Sequence, residues 1–181
     1  MPDPLSGIGS MLPTVVLNCA LGIVLALASA SDVRERRIPN AVTFPAILLG
    51  LILNSVFFGL DGLRDSAQGL GLGLAMLFGL FVLRWMGAGD VKLMAAVGAI
   101  KGPDFVFYAC LWSAVFGAAF AIAGLLRSRR FGLAMAHLYY SRLMPQVGGT
   151  FVTAWRVPYG PAIALGSLVV LMGVRWITLP I

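Results

Sequence analysis

GAGDVKLMAAVGAIKGP, residues 87–103, places an aspartate and a lysine behind two glycines, at the head of an apolar run that stops at Gly102-Pro103. From Asp90 to Lys101 the run is 12 residues, about 18 Å of helix at 1.5 Å per residue. A bilayer core is about 30 Å thick and asks for about 20 apolar residues. The segment is therefore too short to cross alone from interface to interface. With Lys101 at the outer interface, Asp90 is expected several ångströms below the inner one.

The rest of the chain is written in membrane residues. Of its 181 residues 60% are hydrophobic and 11% charged, and the mean hydropathy is +0.95. Soluble domains carry about 25% charged residues. The net charge of +6 does not point to nucleic acid, because the basic residues fall in short clusters between apolar runs instead of pooling on one domain. Cys19 and Cys110 both lie within apolar runs, there is no CxxC, and His137 is the sole histidine. No metal site and no cofactor is expected, so the chemistry rests on carboxylates, hydroxyls or lysine. Residues 1–10 hold Asp3 and no basic residue, which argues for a first segment that stays in the membrane and against a cleaved signal peptide.

Six crossings are expected within a single all-α membrane domain spanning 1–181, at about 11–31, 41–60, 66–86, 90–101, 104–126 and 158–178. Charge orients them. With the N-terminus outside, the inner loops hold Arg34, Arg36, Arg37, Arg84, Lys92, Arg127, Arg129, Arg130, Arg142 and Arg156. The outer side holds Arg64, Lys101 and Arg175. Ten against three is a positive-inside bias, so both termini are expected outside. The long inner loop, 127–156, carries FGLAMAHLYYSRLM with Phe131, Met135, Leu138 and Arg142 at helical spacing. An interfacial helix is one reading of it, a plain loop the other.

Two crossings separate Asp32, which closes the first apolar run, from Asp90, which opens the fourth. Both therefore face the same, cytoplasmic half of the membrane. As isolated residues, Asp32 reads as a helix-end acid and Asp90 as an N-cap; Asp61, Asp65 and Asp104 read as interfacial acids, and Glu35 as part of a solvated charged loop. Ionisable residues inside a membrane are rare and usually functional, and two carboxylates on one side at one depth are what aspartyl proteolysis requires. Such a pair shares one proton. The ionised member takes a proton from water as the water attacks a peptide carbonyl; the other hydrogen-bonds the carbonyl oxygen and then supports the leaving amine. Gly87 and Gly89 leave room for close approach of an extended substrate. Lys92 either favours the Asp90 anion or snorkels toward the headgroups.

These residues resemble a known family. Asp32-Val33-Arg34-Glu35-Arg36-Arg37-Ile38-Pro39-Asn40 is similar to the D-x-R-x-x-x-I-P-N element of type IV prepilin peptidases. Gly87-Ala88-Gly89-Asp90-Val91-Lys92-Leu93 is similar to their G-x-G-D-x-K-L element, and Pro158-Tyr159-Gly160-Pro161, with Gly166 beyond, to the P-[YF]-G-P stretch that opens the last helix. The three stand in family order. The resemblance implies a GxGD-type intramembrane aspartyl protease of the inner membrane, with Asp32 and Asp90 as the catalytic pair. Arg34, Pro39, Asn40, Gly87, Gly89, Lys92, Pro158 and Gly160 would shape the site or bind substrate. It further implies that the substrate is a prepilin or pseudopilin with a short basic leader and an apolar helix, cut on the cytoplasmic side. Larger members carry an N-terminal domain with paired cysteines linked to N-methylation. The chain here begins close to its first helix, so no methyltransferase activity is expected, and the compact form resembles the Tad/Flp-pilus branch (CpaA/TadV-like), with an archaeal prepilin peptidase as the other possibility. Two further classes would use the chain differently. A proton-coupled transporter needs acids spaced along a path across the bilayer, and a scaffold subunit of a secretion system needs neither aspartate.

Overall fold

The computed structural model describes residues 4–83, 86–127 and 159–173. Among the described residues there are four helices, α1 (Pro4–Glu35), α2 (Asn40–Val82), α3 (Ala88–Arg127) and α4 (Tyr159–Leu171), and no strand. Among the described residues, three helical stretches are long and apolar enough to cross a bilayer, Met11–Glu35, Asn40–Val82 and Ala88–Gly124; Tyr159–Leu171 is a shorter apolar helix. The chain is a multi-pass membrane protein.

Local chemistry explains where each helix stops. α1 ends because Arg36 turns to φ 51, with its N–H still donating to the Asp32 carbonyl at 2.9 Å. Pro39 is extended (φ −70, ψ 142) and starts α2, its carbonyl accepting from Val42 N–H at 3.0 Å. The long α2 and α3 each break at a glycine in a conformation closed to other residues: Gly59 (φ 65, ψ −143) and Gly102 (φ 82, ψ 179). The chain reverses at Gly59. Before it, Gly50 meets the backbone of Ala99; after it, Gly69 lies against Gly98 and Gly73 against Met94. One arm of α2 thus climbs along the first part of α3 and the other descends beside it.

Small residues make that approach possible. The buried positions of α2 are Thr43, Ala46, Gly50 and Asn54 on one arm and Gly62, Ser66, Gly69, Gly73 and Leu77 on the other. A Cβ on Gly50 would stand 2.7 Å from the Ala99 carbonyl carbon, and one on Gly73 2.6 Å from the Met94 oxygen. Gly98 and Gly69 pack backbone to backbone. This is how helices associate where lipid removes the hydrophobic drive between them. The large apolar side chains point outward instead: Leu48, Ile52, Phe58 and Phe78 are all exposed. At the centre sits the short segment, buried continuously from Leu93 to Ile100. A helix apolar all round is one enclosed on every side.

The break at Gly102-Pro103 leaves carbonyls without helical partners, since Pro103 has no N–H to give Ala99. In lipid such groups cost several kcal/mol each. α2 supplies the replacements. Asn54 Nδ2 donates to Gly50 O at 2.9 Å and to Ala99 O and Ile100 O at 3.1 Å each, while Ser66 Oγ donates to Ala99 O at 2.5 Å. At the same end Lys101 Nζ donates to Asn18 Oδ1 at 2.8 Å, joining α1 to α3, and lies 5.5 Å from the Phe105 ring centroid.

Past Gly102 the chain runs back toward the level of Asp90. The Tyr159 ring packs on Gly117, and Gly166 fits against Ser113 and Ala109. Helix continues for ten residues beyond Gly117, to Arg127, about 15 Å further.

Several boundaries differ from those read off the sequence. α1 continues through Asp32 to Glu35, so Asp32 stands inside the last helical turn and not at its end. The turn between the crossings expected at 41–60 and 66–86 falls at Gly59, and residues 61–65 are helical; one glycine of positive φ is enough to reverse the chain. The helix expected to reach residue 86 stops at Val82, with Leu83 as its cap. Of the 127–156 loop, Arg127 closes α3, while residues 128–156, with the interfacial helix considered there, and Pro158 lie outside the described residues.

Candidate active site

Asp32 is buried, 6% exposed, in the last turn of α1. Its Oδ2 accepts the backbone N–H of Gly160 at 2.7 Å, a bond between residues 128 positions apart. Gly160 is the second residue of α4, so the donor is one of the N–H groups that a helix start leaves without an internal partner. An N–H to carboxylate bond of this length is of the strong, charge-assisted kind, and the N-terminal end of a helix favours negative charge. The contact also dictates the residue type. A Cβ on Gly160 would stand 2.9 Å from Asp32 Cβ and 3.0 Å from its Oδ2.

Asp90 lies in the first turn of α3 and is half-buried. It is not the N-cap. Gly87 takes that place: Asp90 N–H donates to Gly87 O at 3.2 Å, and Gly87 N–H donates back to Asp90 Oδ2 at 3.2 Å. This is one half of a capping box, the acid at the third helical position reaching back to the N-cap N–H, with an ordinary backbone turn bond where glycine has no side chain to accept. A Cβ on Gly87 would stand 3.2 Å from the same Oδ2, so the carboxylate is folded over a residue with no side chain of its own.

Asp32 is bonded to Gly160 at the start of α4, beside Tyr159, whose ring covers Gly117, and the turn that follows Asp32 packs through Ile38 on Gly89, one residue before Asp90. Around them the α1–α2 turn and the α3 start are fastened together. Ile38 fills the space beside Gly89, where a Cβ would stand 3.0 Å from Ile38 Cβ. Gly89 thus admits a neighbouring side chain, where a substrate strand was expected. Lys92 Nζ donates to Asn40 Oδ1 at 2.9 Å and lies 5.1 Å from the Phe44 ring centroid. Its ammonium is held between two groups of α2 and is directed neither at Asp90 nor freely at the headgroups. Pro39 is half-buried in the turn, and Arg34 is exposed.

Three residues in this framework escaped the sequence reading. Tyr159 was visible only as part of a motif, without a role of its own. Asn54 and Ser66 look in sequence like ordinary members of apolar runs; their signal is a lone polar residue among small ones at three- and four-residue spacing, opposite a Gly-Pro break.

Fold and site together define a multi-pass helical membrane protein with a buried acid in the last turn of α1 bonded to the start of α4 and a second acid in the first turn of α3. Residues 19–122 match the type IV leader peptidase family, and the chain belongs to that family. It is 29% identical over 157 residues to the prepilin leader peptidase/N-methyltransferase of Escherichia coli (strain K12), a match covering 83% of this chain and 60% of that protein. It is 30% identical over 174 residues to the protein of the same name from Pseudomonas putida, covering 91% and 52% respectively. To the prepilin peptidase EppA of Methanocaldococcus jannaschii it is 35% identical over 88 residues, covering 48% and 24%. The chain thus spans 60% or less of each of these relatives. No solved structure matches it.

Proposed function

We propose that this protein is a membrane-embedded aspartyl endopeptidase that removes the basic leader of prepilin-like substrates at the cytoplasmic face, with Asp32 and Asp90 as its catalytic pair. The observation that carries the reading is that Asp32 is bonded to the start of α4 while the turn after it packs, through Ile38, on Gly89 beside Asp90, so elements distant in sequence bring the two acids to one end of the helices. Family membership and the relatives named as prepilin peptidases support the substrate class.

In this mechanism one carboxylate accepts a proton from a water as the water oxygen bonds to the scissile carbonyl carbon. The protonated partner donates a hydrogen bond to the carbonyl oxygen as it gains negative charge. Collapse of the tetrahedral intermediate breaks the C–N bond, and a proton passes from the dyad to the leaving amine. Hydrogen bonds from Gly160 and Gly87 hold one oxygen of each acid in place.

Reversals at Gly59 and Gly102 support six crossings, and the ten-to-three bias of basic residues orients them with both termini outside and the Asp90 end facing inward. Ten helical residues past Gly117 correspond to about 15 Å, which supports a dyad sunk below the inner interface. A substrate with its basic leader in the cytoplasm and its apolar helix in the bilayer would present its cut site near that boundary.

The test is cleavage of a prepilin by the full chain in membranes. Asp32→Asn and Asp90→Asn are each expected to abolish cleavage while the variants still insert. Full processing by either variant refutes the dyad.

A further inference from the structure

We infer that Lys92 and Asn40 form a latch that sets the register between the two aspartates, acting as positioning residues for the proposed peptidase reaction, on which reading the inference rests.

Asp32 and Asp90 belong to different helices, and the ends of those helices are joined through the turn at 36–39 and the start of α2. Two side-chain contacts hold that turn to the start of α3. One is steric: Ile38 packs into the notch at Gly89, one residue before Asp90. The other is polar: Lys92, two residues after Asp90, donates to Asn40 at 2.9 Å. The contacts bracket Asp90 on both sides, and their partners bracket Pro39 in the same way. Ile38 alone would leave α3 free to slide or turn about a smooth apolar contact. The Lys92 bond is directional and adds a second fixed point.

Lys92 is not placed to act on Asp90 directly. Two residues along a helix are about 200° apart around its axis, so the two side chains leave α3 on opposite sides. The ammonium is further confined by the Phe44 ring, 5.1 Å from its centroid, an arrangement that attracts a cation to the ring face. Its donor is therefore directed at Asn40 from a fixed position, and any effect on catalysis passes through the placing of the helix start. Small displacements matter there: a misplacement of about 1 Å in a catalytic group costs about a hundredfold in rate.

Two readouts test the latch, one of them independent of activity. In the full chain with Cys19 and Cys110 replaced by serine and alanine, Ile38→Cys and Gly89→Cys are introduced together, and the rate of disulfide formation in membranes is followed with an added oxidant. Lys92→Met keeps the apolar stem and removes the donor; it is expected to slow the cross-link several-fold, whereas Lys92→Arg and Asn40→Asp, which keep a donor and an acceptor, are expected to hold it near the starting rate. An unchanged rate with Lys92→Met overturns the latch whatever the protein cleaves. In the cleavage assay, Lys92→Met is expected to lower kcat by about ten- to a hundredfold with KM within a factor of about two, and Lys92→Arg, which restores a donor, to recover most of the lost rate. An effect confined to KM would make Lys92 a substrate-binding residue and overturn the proposal. If the unsubstituted chain cleaves no prepilin, the peptidase reading fails, while the cross-linking rates still decide whether the latch exists.

Discussion

Substituting Gly160 by alanine adds a single methyl group at the point where α4 touches α1. The new Cβ would stand 2.9 Å from Asp32 Cβ, 3.0 Å from its Oδ2 and 3.3 Å from its Cγ. Carbon atoms in contact prefer about 3.5–4.0 Å, so Asp32 or the helix start must retreat by roughly 0.6–1 Å. Such a shift stretches the 2.7 Å bond from Gly160 N–H to Asp32 Oδ2 past hydrogen-bonding length. Hydrogen bonds to charged groups contribute about 1.5–3 kcal/mol, and overpacking costs about 1–3 kcal/mol. The larger consequence falls on geometry, since a carboxylate displaced by about 1 Å loses about a hundredfold in rate. The assay is steady-state cleavage of a prepilin substrate by purified protein, with kcat and KM resolved and the amount of inserted protein measured beside them. The expected result is a kcat reduced by about a hundredfold with protein still inserted. Gly71→Ala is the matched control: a Cβ there meets nothing within 4 Å, and alanine is the better helix former by about 1 kcal/mol. A Gly160→Ala enzyme whose kcat stays within a factor of about two of the unsubstituted protein would refute the role given to this contact.

Further outcomes follow from the packing. Asn54→Leu removes the donor from Ala99 and Ile100 carbonyls at the Gly102-Pro103 break; a loss of about 1–3 kcal/mol is expected, seen as a lower unfolding midpoint in detergent, and an unchanged midpoint would mean another donor serves those carbonyls. Gly98→Leu forces a side chain into the Gly69 backbone and is expected to prevent stable accumulation in the membrane, read by immunoblot after a translation block. Accumulation at the normal level would contradict the close approach of these arms.

Much of the architecture is local and was legible for that reason. Apolar runs separated by charge or by Gly-Pro announce themselves in one dimension, because burying backbone in lipid demands helix wherever the run is long enough. The break at Gly102-Pro103 is of this kind, as are the acids standing at the edges of apolar runs. Family resemblance was carried by short contiguous motifs, each readable without knowing what it touches. The turn at Gly59 was harder. Its positive φ leaves no mark that distinguishes it from Gly62, Gly71 or Gly79 nearby, all of which are helical.

Contacts between helices were not legible, because they depend on which faces meet. The sequence by itself determined that this chain is a helical membrane protein with two aspartates at the ends of apolar runs, since hydrophobicity and charge act residue by residue. Only the tertiary structure decided that Gly160 holds Asp32, that Lys92 turns to Asn40, that Ile38 fills the space at Gly89, and that Asn54 and Ser66 serve carbonyls freed on another helix. The physical reason is that close helix packing in lipid rests on small residues and single hydrogen bonds. Their partners lie dozens of positions away, and nothing in the local pattern names them.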